Sequence, residues 1–212
     1  MRSFTLTPYP HPSSSQEHHL LFGKSEPYDT DIRVPMYVRG PGVPSGETRA
    51  HPSNHLDITA TIVDLAGAGA HVEHPLDGKS FAPVIRASPP SVAEWRPYSF
   101  SEFFVANNTW AALRFINSTT GVAEFKLVWW CSDQSEVFRL DQDPWELTNE
   151  GGEQPTSYGR AIVDEWLPTI LGMVQCSGQG CQNPTRVTPP PPHPLKCRMD
   201  DLPEDPNALL LD

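Results

Sequence analysis

The sequence predicts an α/β protein that ends in a small antiparallel sheet followed by a helix. Three observations predict it. A strand, a turn and a helix follow one another between residues 32 and 67. Four short apolar stretches between 98 and 140 are spaced for a meander, and apolar residues recur at helical spacing from Tyr158 to Val174. Composition agrees: 24 prolines, 14 glycines and 38% hydrophobic residues among 212 describe a loop-rich globular chain rather than a disordered one. No apolar run approaches the roughly 18 residues of a membrane span, so none is expected. The net charge of −11 repels phosphate backbones and no basic tract offsets it, so nucleic acid is excluded as a partner.

Residues 1–19 are rich in proline, serine and histidine, have nothing to bury, and read as a disordered lead-in. Ile32-Arg-Val-Pro-Met-Tyr-Val-Arg39 is β-branched and apolar and stops at Gly40-Pro41-Gly42; it reads as a strand buried on both faces. The helix over residues 53–67 takes its cap from Ser53 or Asn54, its apolar face from Ile58, Ile62, Leu65 and Ala66, and its stop from Gly67. Residues 68–97 are turns. Strands are expected at Tyr98 to Phe104, Trp110 to Ile116, Phe125 to Trp130 and Glu136 to Leu140, closed by the Asp143-Pro144 turn. The last helix, Tyr158 to Val174, contains Pro168, which should kink it. Beyond it the chain is Pro-rich and then acidic, an extended tail.

Cysteines stand at 131, 176, 181 and 197, without the spacing of a structural zinc site. Cys176-Ser-Gly-Gln-Gly-Cys181 is short and glycine-containing enough to close as a disulfide, two free thiols being the alternative. Two sequons, at Asn107 and Asn117, point the same way, toward a secretory route. The first 16 residues lack the apolar core of a signal peptide, so the start of a lumenal parent protein is expected to be missing or misread.

Four segments then fall in one family order. Gly23-Lys-Ser-Glu-Pro-Tyr-Asp-Thr-Asp-Ile-Arg-Val-Pro-Met-Tyr-Val-Arg-Gly-Pro-Gly42 comes first. Leu56-Asp-Ile-Thr-Ala-Thr-Ile-Val-Asp-Leu-Ala-Gly67, with Ala60 in place of a usual proline, comes second. Leu76-Asp-Gly-Lys-Ser-Phe81 and Glu136-Val-Phe-Arg-Leu-Asp-Gln-Asp-Pro-Trp-Glu-Leu-Thr-Asn149 complete the series. Together they resemble the C-terminal portion of a type I sulfatase, of the alkaline-phosphatase-like superfamily. The wording is most similar to N-acetylglucosamine-6-sulfatases and to plant-, algal- and fungal-type arylsulfatases.

The resemblance implies a sulfuric ester hydrolase acting on an aryl sulfate or a glycosaminoglycan sugar, in a lysosomal or secreted parent protein. It implies four regions: the lead-in 1–19, the C-terminal part of the sulfatase α/β domain over 20–97, a sheet-and-helix subdomain over 98–182, and the tail 183–212. It also implies what should be absent. The family's nucleophile is the cysteine of a Cys-x-Pro-Ser-Arg motif, and none of the four cysteines stands in one. The later metal pair is missing as well: His11 lacks the flanking aspartate and glycine, and residues 1–23 offer only Glu17 to a hard cation. Calcium is therefore expected for a full-length parent and no cofactor for this chain.

Lys24 is the one active-site residue the resemblance transfers. Its counterpart contacts sulfate, a task suited to a compact ammonium with three donors. His18 and His19 are weaker candidates for contacting a sulfated sugar. Asp29 and Asp31, beside Arg33, read as ion-pairing and capping groups rather than an acid/base pair. The six tryptophans read as packing residues, with sugar stacking the alternative.

As given, the chain is expected to be inactive. The rival expectation is a non-catalytic lumenal or secreted module that binds a sulfated glycan, and a third is a related phosphatase-like enzyme. An apolar 32–38 strand without its neighbours should also make the chain poorly soluble alone.

Overall fold

The computed structural model describes residues 25–104 and 109–182 and the backbone of residues 5–6. Its centre is a four-stranded antiparallel meander, β3 (Tyr98–Phe103), β4 (Trp110–Ile116), β5 (Ala123–Trp130) and β6 (Ser135–Phe138), in the order β3-β4-β5-β6. The alternation of side chains in these strands gives the sheet two different faces.

Tyr98, Ala111, Leu113, Phe125, Leu127 and Val137 point one way and pack under α4 (Ser157–Val174), which contributes Ile162 and Ile170. Phe115, Phe125 and Trp166 form an aromatic cluster there, with Phe115 and Phe125 stacked at 5.0 Å. Thr156 caps α4 by accepting from the Gly159 N–H, and the helix continues through Pro168. Gly159 has no room for a side chain, because a Cβ would lie 1.9 Å from the Glu150 carbonyl.

The opposite face carries Trp110, Ala112 and Val128 and is covered by the segment from Ser25 through the short helix α1 (Asp29–Ile32). The expected strand over 32–38 is not formed. Only Val38–Arg39 (β2) is extended in a ladder, pairing with Thr5–Leu6 (β1), while Val34, Met36 and Tyr37 stand 51%, 43% and 62% exposed. A strand buried on both faces needs a neighbour on each edge, and among the described residues 33–37 have none.

Helix α2 (His55–Leu65) begins at Asn54, whose N–H donates to Asp57 in a capping box. Its rotation differs from the expected one: Asp57, Ala60 and Thr61 face inward, whereas Ile62 is 56% exposed. Polar bonds decide the rotation. Asp57, fully buried, accepts from the Lys79 N–H at 2.8 Å and pairs with Arg96, itself 5% exposed, and Thr61 accepts from the Phe81 N–H. Ile58 and Leu65 pack at the margin of a second core of Phe81, Val84, Ile85 and Trp95, the last of these closing α3 (Val92–Trp95). Gly78 lies against α2 so closely that a Cβ would meet the Leu56 carbonyl at 2.1 Å.

The chain after α4 turns back onto this region. Cys176 and Cys181 are joined, the latter inside the one-turn α5 (Gln179–Gln182). The Gly178 N–H donates to Asp77 and the Gln182 amide donates to the Leu76 carbonyl. Cys131 is disulfide-bonded as well.

Candidate functional site

Strands β4 and β5 bring Arg114 and Lys126 directly opposite each other on the face away from α4. Two like charges at a cross-strand position repel, so an anion is required between them. Asp29 supplies it. Its carboxylate lies 3.0 Å from Arg114 Nε and 2.7 Å from Lys126 Nζ. Lys126 is fully buried and also pairs with Glu146. The Asp29 N–H donates to Glu146 at 2.6 Å, which closes the ring. Arg33 reaches the same carboxylate only at 3.9 Å, from a side chain 68% exposed, and adds little.

Glu146 enters this ring through a left-handed backbone, φ 58°, unusual for a residue with a side chain. The turn places its carboxylate inside and leaves the flanking Trp145 and Leu147 at 62% and 75% exposure. Such strain persists where surrounding bonds fix it, here those to Lys126 and Asp29.

The two carboxylates titrate in opposite directions. Burial pushes Asp29 up, but two cations outweigh it and hold the group below the ordinary carboxylate value. Burial also pushes Glu146 up, and there the single Lys126 and the nearby Asp29 charge leave it above that value. Glu136, on the same sheet face, rises to about 7, through burial first and the charges of Glu146 and Glu26 next, against a hydrogen bond from Trp130. Tyr28, whose ring meets Phe138 edge-on at 6.0 Å, rises to about 12 for the same leading reason, burial.

Main-chain contacts tie the covering segment to the sheet. Trp110 Nε1 donates to the Ser25 carbonyl at 2.8 Å, and Lys126 Nζ donates to the Pro27 carbonyl at 2.9 Å. Beside this segment opens a broad groove of about 1010 Å³, lined in part by Asp29, Arg33, Met36, His51, Leu56 and Arg114. Its acids and bases are largely paired with one another, and its apolar rim is the unpaired 33–37 stretch.

Lys24, His18, His19 and Asn107 lie outside the described residues. Asn117 is described. Its amide donates to Glu124 at 3.0 Å and its carbonyl accepts from the Thr119 and Thr120 N–H groups, so its side chain organises the β4–β5 turn. Among the described residues no three His, Cys, Asp or Glu side chains gather as a metal site. Two of the buried carboxylates are held by cations instead, Asp57 by Arg96 and Asp29 by Lys126 and Arg114. That donor set does not suit calcium, which wants several free anionic oxygens.

The reading of Asp29 as an ion-pairing residue identifies the centre of the ring but not its partners. Lys126 carried a signal: a lone lysine in the apolar run Phe125-Lys-Leu-Val-Trp-Trp130 needs a buried counter-charge. The counter-charges sit 97 residues before it and 20 after it, and period-two patterning does not name them.

The fold has counterparts in known proteins. The protein-family model described as "N-sulphoglucosamine sulphohydrolase, C-terminal" matches residues 17–163. The chain belongs to the sulfatase family. It corresponds to the C-terminal portion of the sulfatase fold. An arylsulfatase of Volvox carteri is 31% identical over 199 residues, covering 82% of this chain and 30% of that protein. An N-acetylglucosamine-6-sulfatase of Capra hircus is 27% identical over 202 residues, covering 80% of this chain and 34% of the relative. The chain thus spans about a third of the length of the sulfatases it matches. A protein solved in complex with its substrate D-glucosamine-2-N,6-O-disulfate shares the fold with a TM-score of 0.55 at 23% identity, over 72% of this chain and 29% of that one.

Proposed function

We propose that this chain is the C-terminal portion of a sulfuric ester hydrolase and supplies Lys24 to a sulfate-binding site whose nucleophile lies elsewhere in a parent protein. The family match over residues 17–163 carries the reading, because that span includes Lys24, His18 and His19. The relatives' names and the disulfated glucosamine held by the structural neighbour support a sulfated sugar or small aryl sulfate as the ligand. In the proposed role the Lys24 ammonium offsets charge that develops on the sulfate and its departing ester oxygen. A bound calcium would assist by polarising the sulfate, but the residues described do not fit one, and no step is assigned to it.

The 212 residues alone should hydrolyse nothing, since none of the four cysteines is followed by the nucleophile motif. We place the parent in a lysosomal or secreted setting, supported by the Cys176–Cys181 bond and the Asn117 sequon.

The test is sulfate release from an aryl sulfate and from glucosamine 6-sulfate by the purified chain. No turnover is expected; turnover above background would overturn the assignment of the nucleophile to another part of the parent. Saturable binding of a sulfated oligosaccharide without turnover, abolished by Lys24→Ala, is the positive result expected for the Lys24 site.

A further inference from the structure

The turn between β4 and β5 carries a chemical group that sulfate binding leaves unused. Asn117-Ser-Thr119 has the residue types of an acceptor for N-linked glycans, with no proline at its middle position. The Asn117 main chain closes the turn: its N–H donates to the Val122 carbonyl at 2.9 Å, and its carbonyl accepts from the Gly121 N–H at 2.8 Å. The side-chain oxygen accepts from the Thr119 and Thr120 N–H groups at 2.9 and 3.2 Å, which occupies both of its lone pairs. Of the two amide hydrogens, one goes to Glu124 at 3.0 Å. The other meets no acceptor among the described residues.

The turn has a packed side and an open side. A Cβ on Gly121 would lie 3.0 Å from the Ala50 side chain, and Gly121 and Val122 line the groove. Ser118, Thr119 and Thr120 are exposed, so the acceptor triplet stands on the solvent side.

We infer that Asn117 carries an N-linked glycan, held at the rim of the groove. In the step that attaches it, Asn117 Nδ2 bonds to the anomeric carbon of an oligosaccharide linked to a lipid diphosphate. The bond from that carbon to the diphosphate oxygen breaks, the diphosphate leaves with the electron pair, and the amide gives up one proton. The product is still a planar amide with its oxygen and one N–H. The three side-chain bonds of the turn are therefore kept, and the sugar takes the place of the unused hydrogen. The inference rests on the lumenal placement proposed above, which brings the chain to such a donor.

The experiment delivers the full 212-residue chain into the secretory route of a eukaryotic host behind a cleavable leader, so delivery does not depend on the parent's own location. A comparison variant, Thr119→Ala, lacks the exposed hydroxyl that the triplet requires but keeps the backbone N–H that holds the Asn117 oxygen. Glycans are removed by an amidase in heavy-oxygen water, which turns an occupied asparagine into labelled aspartate. Mass spectrometry then reads the tryptic peptide 115–126, which contains Asn117 and not Asn107.

Labelled aspartate at 117 is expected in the unaltered chain, and unlabelled asparagine in Thr119→Ala. Hydrogen-exchange protection of the amides at 119 and 120 should be the same in the glycosylated chain and in the variant. Unlabelled Asn117 in the unaltered chain would overturn the inference. Protection about 5-fold weaker in the glycosylated chain, the loss of one hydrogen bond, would overturn the fit of the sugar to the folded turn. Labelling in the delivered chain, with bare Asn117 in the parent protein purified from its own cells, would uphold the acceptor site and refute instead the lumenal placement.

Discussion

Replacing Lys126 with methionine is the most direct test of the charge ring. The lysine is fully buried and stands between Asp29, 2.7 Å away, and Glu146. Methionine fills much of the same volume but leaves two buried carboxylates facing one remaining cation, Arg114. Breaking a buried pair from one side costs about 3–5 kcal/mol, because the abandoned charge stays out of water. The donor to the Pro27 carbonyl is lost too, for about 1 kcal/mol more. Against a domain stability on the order of 5–15 kcal/mol, the variant should lie near the unfolding threshold. Adding Glu146→Gln to Lys126→Met should restore part of the loss, since it removes the charge left unpaired.

Urea unfolding at pH 7, followed by tryptophan fluorescence, measures all three proteins. The defect should also shrink in acid, because Glu146, already pushed up by burial, is the group ready to take a proton. A loss below about 1 kcal/mol for Lys126→Met would refute this account of the ring. A double variant no more stable than the single one would refute it equally.

Further expectations concern the rest of the chain. Glu136 is raised from 4.5 to about 7 on folding, so the stability it contributes is complete below pH 4.5 and is lost as pH rises toward 7. Unfolding free energy should fall by about 2–3 kcal/mol across that window, and Glu136→Gln should flatten the slope. Asp29 acts in the opposite sense in a more acidic window: its folded value is depressed below 3.8, so its contribution is full above that and lost below. Gly78→Ala places a Cβ 2.1 Å from the Leu56 carbonyl and should lower the melting temperature by several degrees, a shift of roughly 2 kcal/mol or more. The exposed Val34, Met36 and Tyr37 should make the chain associate at micromolar concentration. Light scattering should report this, and Tyr37→Lys with Val34→Lys should reduce it.

Local signals made the sheet legible in the sequence. Four apolar stretches at even spacing predict β3 to β6 within one to two residues, because a meander needs only neighbours in sequence. The Asn54 cap and the Gly67 stop, at φ 65°, mark the ends of α2 for the same reason. The rotation of α2 was not legible. Apolar spacing favours Ile62 as an inward residue, but the bonds from Asp57 to Arg96 and to the Lys79 N–H, 39 and 22 residues away, turn Asp57 inward instead. The 32–38 segment fails differently. Its composition specifies a buried strand correctly in kind, yet burial is a property of both partners, and no described residue supplies the second one.

The same distinction bears on where function resides. The sulfatase resemblance draws attention to Lys24, whereas the physical chemistry of the described residues converges on the carbonyls that follow it. A fully buried lysine is costly, and Asp29 and Glu146 offset that cost only if segment 25–29 stays seated on the sheet. Seating and charge balance are therefore one equilibrium: lifting Ser25 to Asp29 exposes the carboxylate that neutralises Lys126. The sheet-and-helix portion thus holds residues 25–29 in place through the charge ring.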